Sequence, residues 1–290
     1  MRPSARLTLW ALAGLTLSGL MLGVRRLVGD RASDRVKQNL ATSPDATAPL
    51  AESRPTAFTP DLVADLPEPA RRYLLHAVAS GTPLAPAIQL EMSGSMTPMP
   101  GADPVTLQAV EVIAPRRGFV WTARARMFGV PVRVRDHYFE AEGGVGVDLL
   151  GLVPLPFSGD AEDLARSARG RLVGEAVWCP TALVGPGVTW EAVDDDRARF
   201  TLLVDGEAVA VTIRVGGDGA LQDVTLDRWG DVDVPEHRPI PYGFAVEAEA
   251  TFEGVTIPTR LRGGWWYGTD RFDDTAAATF VVVDARFLAS

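Results

Sequence analysis

From residue 88 onward the chain alternates apolar and polar side chains in short runs broken by turn residues, and this period of two is what most restricts its fold. Ile88, Leu90 and Met92 alternate, as do Phe119, Trp121, Ala123, Ala125 and Met127, and then Val130, Val132 and Val134 beyond Gly129. Side chains two apart on an extended strand share a face, so each run predicts a strand with one dry side. The last third repeats the pattern in Val188 and Trp190, in Phe200, Leu202 and Val204, and in Val209, Val211, Ile213 and Val215, and it continues through residues 221–229, 244–252, 255–261 and 280–287. In residues 244–252 we expect Phe244, Val246, Ala248, Ala250 and Phe252 to face the core, with Glu247, Glu249, Thr251 and Glu253 on the opposite side. The runs are separated by Asp194-Asp195-Asp196, Asp205-Gly206 and Gly216-Gly217-Asp218-Gly219, which are turn signals. No crossover segments lie between them, so the predicted pairing is antiparallel. The fold class expected is mainly β (α+β): a long antiparallel, strongly curved sheet or half-barrel with one or two packed helices.

Two stretches break that period. In residues 61–78, Glu68 and Pro69 suit a helix start, and Leu66, Tyr73, Leu74, Ala77 and Val78 make one apolar stripe that ends before Gly81. Residues 158–178 carry Asp160, Glu162 and Asp163 early and Arg166, Arg169 and Arg171 late, the order a helix dipole favours. Gly170 and Gly174 are expected to divide this helix, and Pro180 stops it.

The amino terminus reads differently. Residues 7–24 hold no charged side chain, with Arg2 and Arg6 before them and Arg25 and Arg26 after, a pattern of a transmembrane helix close to the ~18-residue lower limit for spanning. A cleaved signal peptide is the rival, but the run ends without an Ala-x-Ala site. The short basic start places the following domain outside the cytoplasmic membrane, while Arg31, Arg35 and Lys37 argue the other way. Four prolines at 44, 49, 55 and 60, among Ala, Ser and Thr, make a spacer. The layout expected is an anchor in residues 1–28, a linker in 29–60 and one β-rich domain in 61–290, on a single-pass protein of a bacterial cytoplasmic membrane with the domain extracytoplasmic.

Composition narrows function by exclusion. With a formal charge of -9 the chain repels phosphate backbones, so nucleic acid is not an expected partner. The single cysteine, Cys179, rules out an internal disulfide and reads as a small buried apolar residue. His76, His137 and His237 have no metal-ligand spacing, Asp136 and His137 point to opposite faces of one strand, and no Gly-x-Ser-x-Gly or lysine-bearing phosphate loop occurs. We therefore expect no metal and no cofactor.

Two constellations remain. Read helically, Arg171, Glu175 and Trp178 lie along one face, and with Asp136, Trp121 and Trp190 they are candidates for lining a ligand cleft; the alternative is a structural clasp in which the ion pair ties helix to sheet. On the polar side of the first hairpin, Arg124, Arg126, Arg133 and Arg135 form a candidate anionic-contact face, or a solvated face balanced by Glu111, Glu140 or Glu142.

Several phrases together resemble a bacterial family of unknown function: LPEPARRYLLHAV, GFVWTARARMFGVPVRVRDHYF, RLVGEAVWCPTALV followed by VTWEAVDD, and GVTIPTRLRGGWWYG. The sharpest is Arg-x-x-x-Glu-x-x-Trp-x-Pro, here Arg171, Glu175, Trp178 and Pro180. The resemblance implies no activity. By architecture the chain is similar to the half-barrel carriers of lipoproteins and lipids in the bacterial envelope, an analogy of fold. The function expected is thus a membrane-anchored, non-catalytic binding protein for a lipid or other apolar ligand. The alternatives are an interaction scaffold using a sheet edge or the arginine face, with unknown protein partners, and an enzyme with carboxylate chemistry at Glu175 and Asp136.

Overall fold

The computed structural model describes residues 39–40, 55–97, 102–151, 153–155 and 159–288. The expected anchor and most of the spacer lie outside the described residues, and among those described no helix is long and apolar enough to cross a membrane. The chain forms β1 (Ala87–Met96), β2 (Val105–Ala114), β3 (Gly118–Met127), β4 (Val130–Phe139), β5 (Glu142–Leu149) and β6 (Val153–Leu155). After an intervening helical stretch come β7 (Val188–Ala192), β8 (Arg197–Val204), β9 (Glu207–Val215), β10 (Leu221–Gly230), β11 (Arg238–Phe252), β12 (Val255–Trp265) and β13 (Ala278–Leu288).

All thirteen strands belong to one antiparallel sheet in the order β6-β5-β4-β3-β2-β1-β13-β12-β11-β10-β9-β8-β7. Two meanders join where β1 pairs with β13, leaving β6 and β7 as the edges. The chain leaving β6 must therefore return to the opposite edge. It does so across one face as helix α2 (Ala161–Gly174), followed by 3-10 turns at Glu175–Trp178 and Pro180–Leu183. Asp160 caps α2 by accepting from the backbone N–H of Glu162 and Asp163. The helix packs on both β5 and β10, the second strand from one edge and the fourth from the other. Only a sheet curled around α2 brings those strands to it, so the architecture is an open half-barrel with a helix in its hollow. The curl also joins distant turns, since the Tyr138 hydroxyl and the Ala141 N–H both donate to Asp205 Oδ2, at 2.7 and 3.1 Å.

Helix α1 (Glu68–Ala77) covers the remaining concave surface over β7, β8, β9 and β12, burying Tyr73, Leu74 and Ala77 as its apolar stripe predicts. The main core runs through both helices and the inward residues of the sheet, including Ile88, Leu90, Phe119, Trp121, Phe200, Ile213 and Ile257. A smaller cluster of Ala87, Val112, Ala114 and Val120 packs under Leu40 on the convex face.

The structure departs from expectation in three places. Helix α2 stops at Gly174 and keeps Gly170 inside it; a Cβ on Gly170 would stand 3.3 Å from Arg228 Cγ and one on Gly174 3.2 Å from Leu226 Cδ2, so these glycines let β10 close on the helix. In β11 the pairing with β12 shifts register twice, between Val246 and Ala248 and between Ala248 and Glu249, and the expected faces are lost there, while Phe244, Val246 and Phe252 stay against the core. Ala248 and Ala250 are exposed, while Glu249 turns toward α1 and accepts from the backbone N–H of Leu221 at 3.2 Å, with His76 Nε2 at 2.9 Å. Thr56 to Pro60, counted with the spacer in the sequence, belong to the packed body: Phe58 is buried and exchanges backbone hydrogen bonds with Thr82 and Gly81.

Several turns place non-glycine residues at left-handed positions, Glu140, Ala141, Asp205 and Glu253 among them, and so do two hairpin tips of the first meander. Phe128 (φ 51°) and Gly129 (φ 80°) form the two-residue β3–β4 turn, and Leu150 (φ 54°) begins the β5–β6 turn. A left-handed conformation costs a non-glycine residue roughly 1–2 kcal/mol.

The close approach of α2 to β5 rests on Gly143, where a Cβ would fall 2.7 Å from Ala165 Cα and 3.0 Å from the Leu164 carbonyl. Gly143→Val must push the helix out of the hollow and should destabilise the protein by roughly 1–3 kcal/mol. A lowered urea midpoint with unchanged slope checks this.

Candidate functional site

At the centre of the hollow, α2 delivers the Arg171 guanidinium into a ring of three carboxylates. Its Nε donates to Glu175 Oε1 at 2.7 Å, Nη1 to Asp136 Oδ2 at 2.6 Å and Nη2 to Glu111 Oε1 at 2.8 Å. These acids come from the 3-10 turn, β4 and β2, so one side chain ties the crossing segment to two strands. Phe119 and Trp121 line the guanidinium, with ring centres 4.6 and 5.3 Å from its carbon. The side chain of Glu111 is 0% exposed and those of Arg171, Asp136 and Glu175 are 14–15% exposed.

Three carboxylates around one cation leave excess negative charge in a dry place. Burial, followed by repulsion from Glu175, raises Glu111 well above the usual carboxylate range despite Arg171, and burial likewise raises Glu175. The second oxygens of both, Glu111 Oε2 and Glu175 Oε2, are buried with no other donor. Burial without a donor at these two oxygens favours the neutral, protonated form of the acids. The group is thus one guanidinium held by Glu111, Asp136 and Glu175, with Glu111 and Glu175 both pushed toward the neutral form.

The structure brings together Arg171, Glu175, Asp136 and Trp121. Trp178 lies just beyond them, its indole N–H donating to the Pro258 carbonyl at 3.0 Å and its ring stacked on Phe244 with centres 6.3 Å apart. Trp190 stands apart under α1, against Phe200 and Tyr73, donating to the Leu183 carbonyl at 3.2 Å. Cys179 is buried, and burial pushes its thiol up to about 11. Arg124, Arg126, Arg133 and Arg135 lie on the convex side of β3 and β4, where Arg124 and Arg133 are register partners and Arg135 pairs with Asp148 at 2.7 Å. Glu111 does not balance that face, because it points inward. Its role was readable in the alternation of β2: Leu107, Ala109, Glu111 and Ile113 share the buried side, and a carboxylate in that series needs a buried cation.

Around α2 the hollow is tightly filled. A buried cavity of ≈40 Å3 beside Glu175 is lined by Trp178, Leu226, Tyr242, Phe244, Leu261 and Phe280. Larger space lies where two strands part. Strands β9 and β10 pair from Val215/Leu221 to Thr212/Thr225, and beyond this β9 continues with β8 and β10 with β11. Helix α2 sits in the opening, tied to β10 by Arg228 Nε donating to the Ser167 carbonyl at 3.2 Å and Trp229 Nε1 donating to Asp163 at 2.7 Å. The resulting cleft of ≈570 Å3 presents Arg166, Arg169, Arg199, Trp229, Tyr242 and Tyr267. It shares Leu226 and Tyr242 with the buried cavity, and shares Arg166, Arg169 and Glu207 with a second cleft of ≈660 Å3 on the other flank of α2.

Residues 56–275 match the model of a family of unknown function, DUF6544. The chain belongs to that family. The matched span contains Glu111, Asp136, Arg171, Glu175 and Trp178, so the carboxylate ring and the cleft lie within the DUF6544 portion. No curated protein matches the chain. Similar solved structures include a DUF1329 family protein from Desulfovibrio piger ATCC 29098, at 11% identity and TM-score 0.34 over 70% of this chain and 86% of that one. A LolA superfamily protein from Nitrosomonas europaea superposes at 10% identity and TM-score 0.38 over 76% of this chain and 91% of that one. Superpositions this partial carry nothing about ligand or activity to this DUF6544 member.

Removing one partner of a buried ion cluster strands the others, at about 3–5 kcal/mol. Arg171→Leu should therefore lower the urea midpoint more than any exposed arginine variant. The raised Glu111 also sets a pH dependence. The folded state holds a proton that the unfolded chain releases near 4.5, so the contribution of Glu111 to stability is fully present at and below that pH and is lost as pH rises toward the folded value. Denaturation between about pH 5 and pH 8 should show this decline, and Glu111→Gln should flatten it.

Proposed function

We propose that this protein is a non-catalytic, membrane-associated binding protein of the cell envelope, and that its ligand is an amphiphile with an anionic head and an apolar body. The observation that carries the reading is the cleft opened between β9 and β10 by α2. Three guanidiniums, Arg166, Arg169 and Arg199, meet there with Trp229, Tyr242 and Tyr267 in a volume of ≈570 Å3, within the range of small-molecule sites. Glu207 and Asp227 line the same cleft and Arg199 pairs with Glu191 at 2.9 Å, so the cationic character rests chiefly on Arg166 and Arg169 of α2. Arg166 stacks its guanidinium 3.6 Å from the Trp229 ring centre, which leaves its N–H groups available to a carboxylate or phosphate.

The apolar part of the ligand follows from the lining shared with the inner cavity. Leu226 and Tyr242 lead from the cleft to Trp178, Phe244, Leu261 and Phe280. That cavity, at ≈40 Å3, holds no acyl chain in the closed form, so a long tail lies along the cleft or enters by displacing α2. The carboxylate ring is the clasp that opposes such displacement. Arg171 grips all three acids and Glu111 is fully buried, which disfavours acid–base catalysis there.

Native mass spectrometry of the full chain, extracted from membranes in mild detergent, should find an anionic amphiphile bound. Oleate should bind more tightly than oleyl alcohol, and Arg166→Gln with Arg199→Gln should weaken oleate by about tenfold or more per guanidinium lost. An empty protein with equal affinity for acid and alcohol would end this reading.

A further inference from the structure

The convex end of the first meander carries the most exposed large apolar side chain among the described residues. Phe128, at the tip of the β3–β4 hairpin, is 92% exposed, and Leu150 and Val153 of the adjacent β5–β6 turn are 56% and 46% exposed. The two tips are neighbours: the Leu150 N–H donates to the Pro131 carbonyl at 2.8 Å. Phe128 and Leu150 both sit at left-handed backbone positions, φ 51° and 54°, where turn chemistry favours Asn, Asp or Gly. A phenylalanine there gains nothing from the fold, because its ring is solvent-exposed, and it gives up the turn preference. Retained strain with an unburied ring points outward, to something the ring enters.

The charge beside the tips says what that is. Arg124 and Arg126 on β3 and Arg133 and Arg135 on β4 occupy the convex face next to Phe128; Arg135 pairs with Asp148, and Arg133 is also engaged, so the charge offered to a partner is that of Arg124 and Arg126. The Arg126 guanidinium folds over the turn itself, donating to the Gly129 carbonyl at 3.4 Å. In a chain of net charge -9 this end is locally positive. Apolar tips rimmed by guanidiniums match the layering of a bilayer surface, with acyl chains below and anionic phosphates above. An acidic protein surface offers the charge but not the soft apolar layer that an isolated, protruding ring needs.

We infer that the β3–β4 and β5–β6 hairpin tips form a docking surface for an anionic phospholipid bilayer, with Phe128 and Leu150 entering the interface and Arg124 and Arg126 contacting lipid phosphates. This surface is separate from the cleft around α2 and does not depend on what the cleft binds. Chain geometry allows it. The Asn39 carbonyl accepts from Arg117 Nη1 at 2.8 Å near the far end of β3, roughly 33 Å from the tip along the strand. Residues 25–38 reach up to ~50 Å when extended, enough for the apolar run at 7–24 and the hairpin tips to meet the same bilayer.

The test uses the full chain in lipid nanodiscs, so that both bilayer faces are open to a quencher. Cys179 is buried, so a Leu150→Cys variant takes an environment-sensitive fluorophore at that position alone, and Leu203→Cys, an exposed site on β8, serves as the control. In nanodiscs containing phosphatidylglycerol, iodide quenching of the label at position 150 should fall several-fold relative to phosphatidylcholine alone, with position 203 unchanged. Adding Phe128→Asp, which suits the turn's backbone, or Arg124→Gln with Arg126→Gln, should restore quenching. Equal quenching in both lipids overturns the inference, as does protection that is indifferent to lipid charge and to Phe128→Asp, which would assign the tips to contact with a second copy of the chain. Loss of the docking signal with an amphiphile still bound by native mass spectrometry would refute this surface and leave the cleft reading intact.

Discussion

The salt-bridged ring around Arg171 is what lets a helix cross the inside of this sheet. A thirteen-strand antiparallel meander folded back on itself at β1 and β13 leaves its midpoint connection to run from one edge to the other. The route across the hollow buries that connection, and a buried connection must be held by something more directional than apolar contact. Arg171 supplies a planar cation with several fixed donors, and Glu111, Asp136 and Glu175 receive them from β2, β4 and the turn after α2. Such clusters repay little of their desolvation cost, so their value lies in register: the helix has one depth and one rotation at which all three bonds form.

The same crossing creates the space where a ligand fits. Helix α2 is too thick to lie in a half-barrel whose strands all stay paired, and β9 and β10 separate beyond Thr212 and Thr225 to admit it. Gly170 and Gly174 bring β10 against one side of the helix and Gly143 brings β5 against the other, so the free volume is confined to the split and the far flank. Arginines from the polar side of α2 then project into both clefts. Clasp and cleft are therefore two consequences of one topological demand, and any movement of α2 works against the ring of carboxylates.

Much of the architecture was readable in the order of residues. Alternation identified most of the strands, though not β2, their close spacing required antiparallel neighbours, and the i,i+4 spacing of Arg171 and Glu175 yields the 2.7 Å bond observed. The positions of Trp121 and Asp136 beside Arg171 are less local, yet they follow from inward phase: Trp121 and Asp136 are register partners on β3 and β4, and both face the hollow. Trp190 follows the same phase and still lands elsewhere, because phase selects a face and not a place on it. The β11 bulge shows the opposite limit. Two successive register shifts exchange the faces of Ala248 and Glu249, and composition around them carries no mark of where they fall.

What the sequence determined by itself was the kind of object this is: period-two burial makes strands, and short polar turns make them antiparallel. Those are properties of neighbours along the chain, where geometry is set by a few bonds. Tertiary structure alone decided that Arg171 is the cation Glu111 meets, that burial raises Glu111 and Glu175 beside it, and that strands 207–215 and 221–230 part to form a cleft. These depend on how far a long sheet curls and how deep one helix sits within it, and such quantities are fixed only when every pair of strands has closed at once.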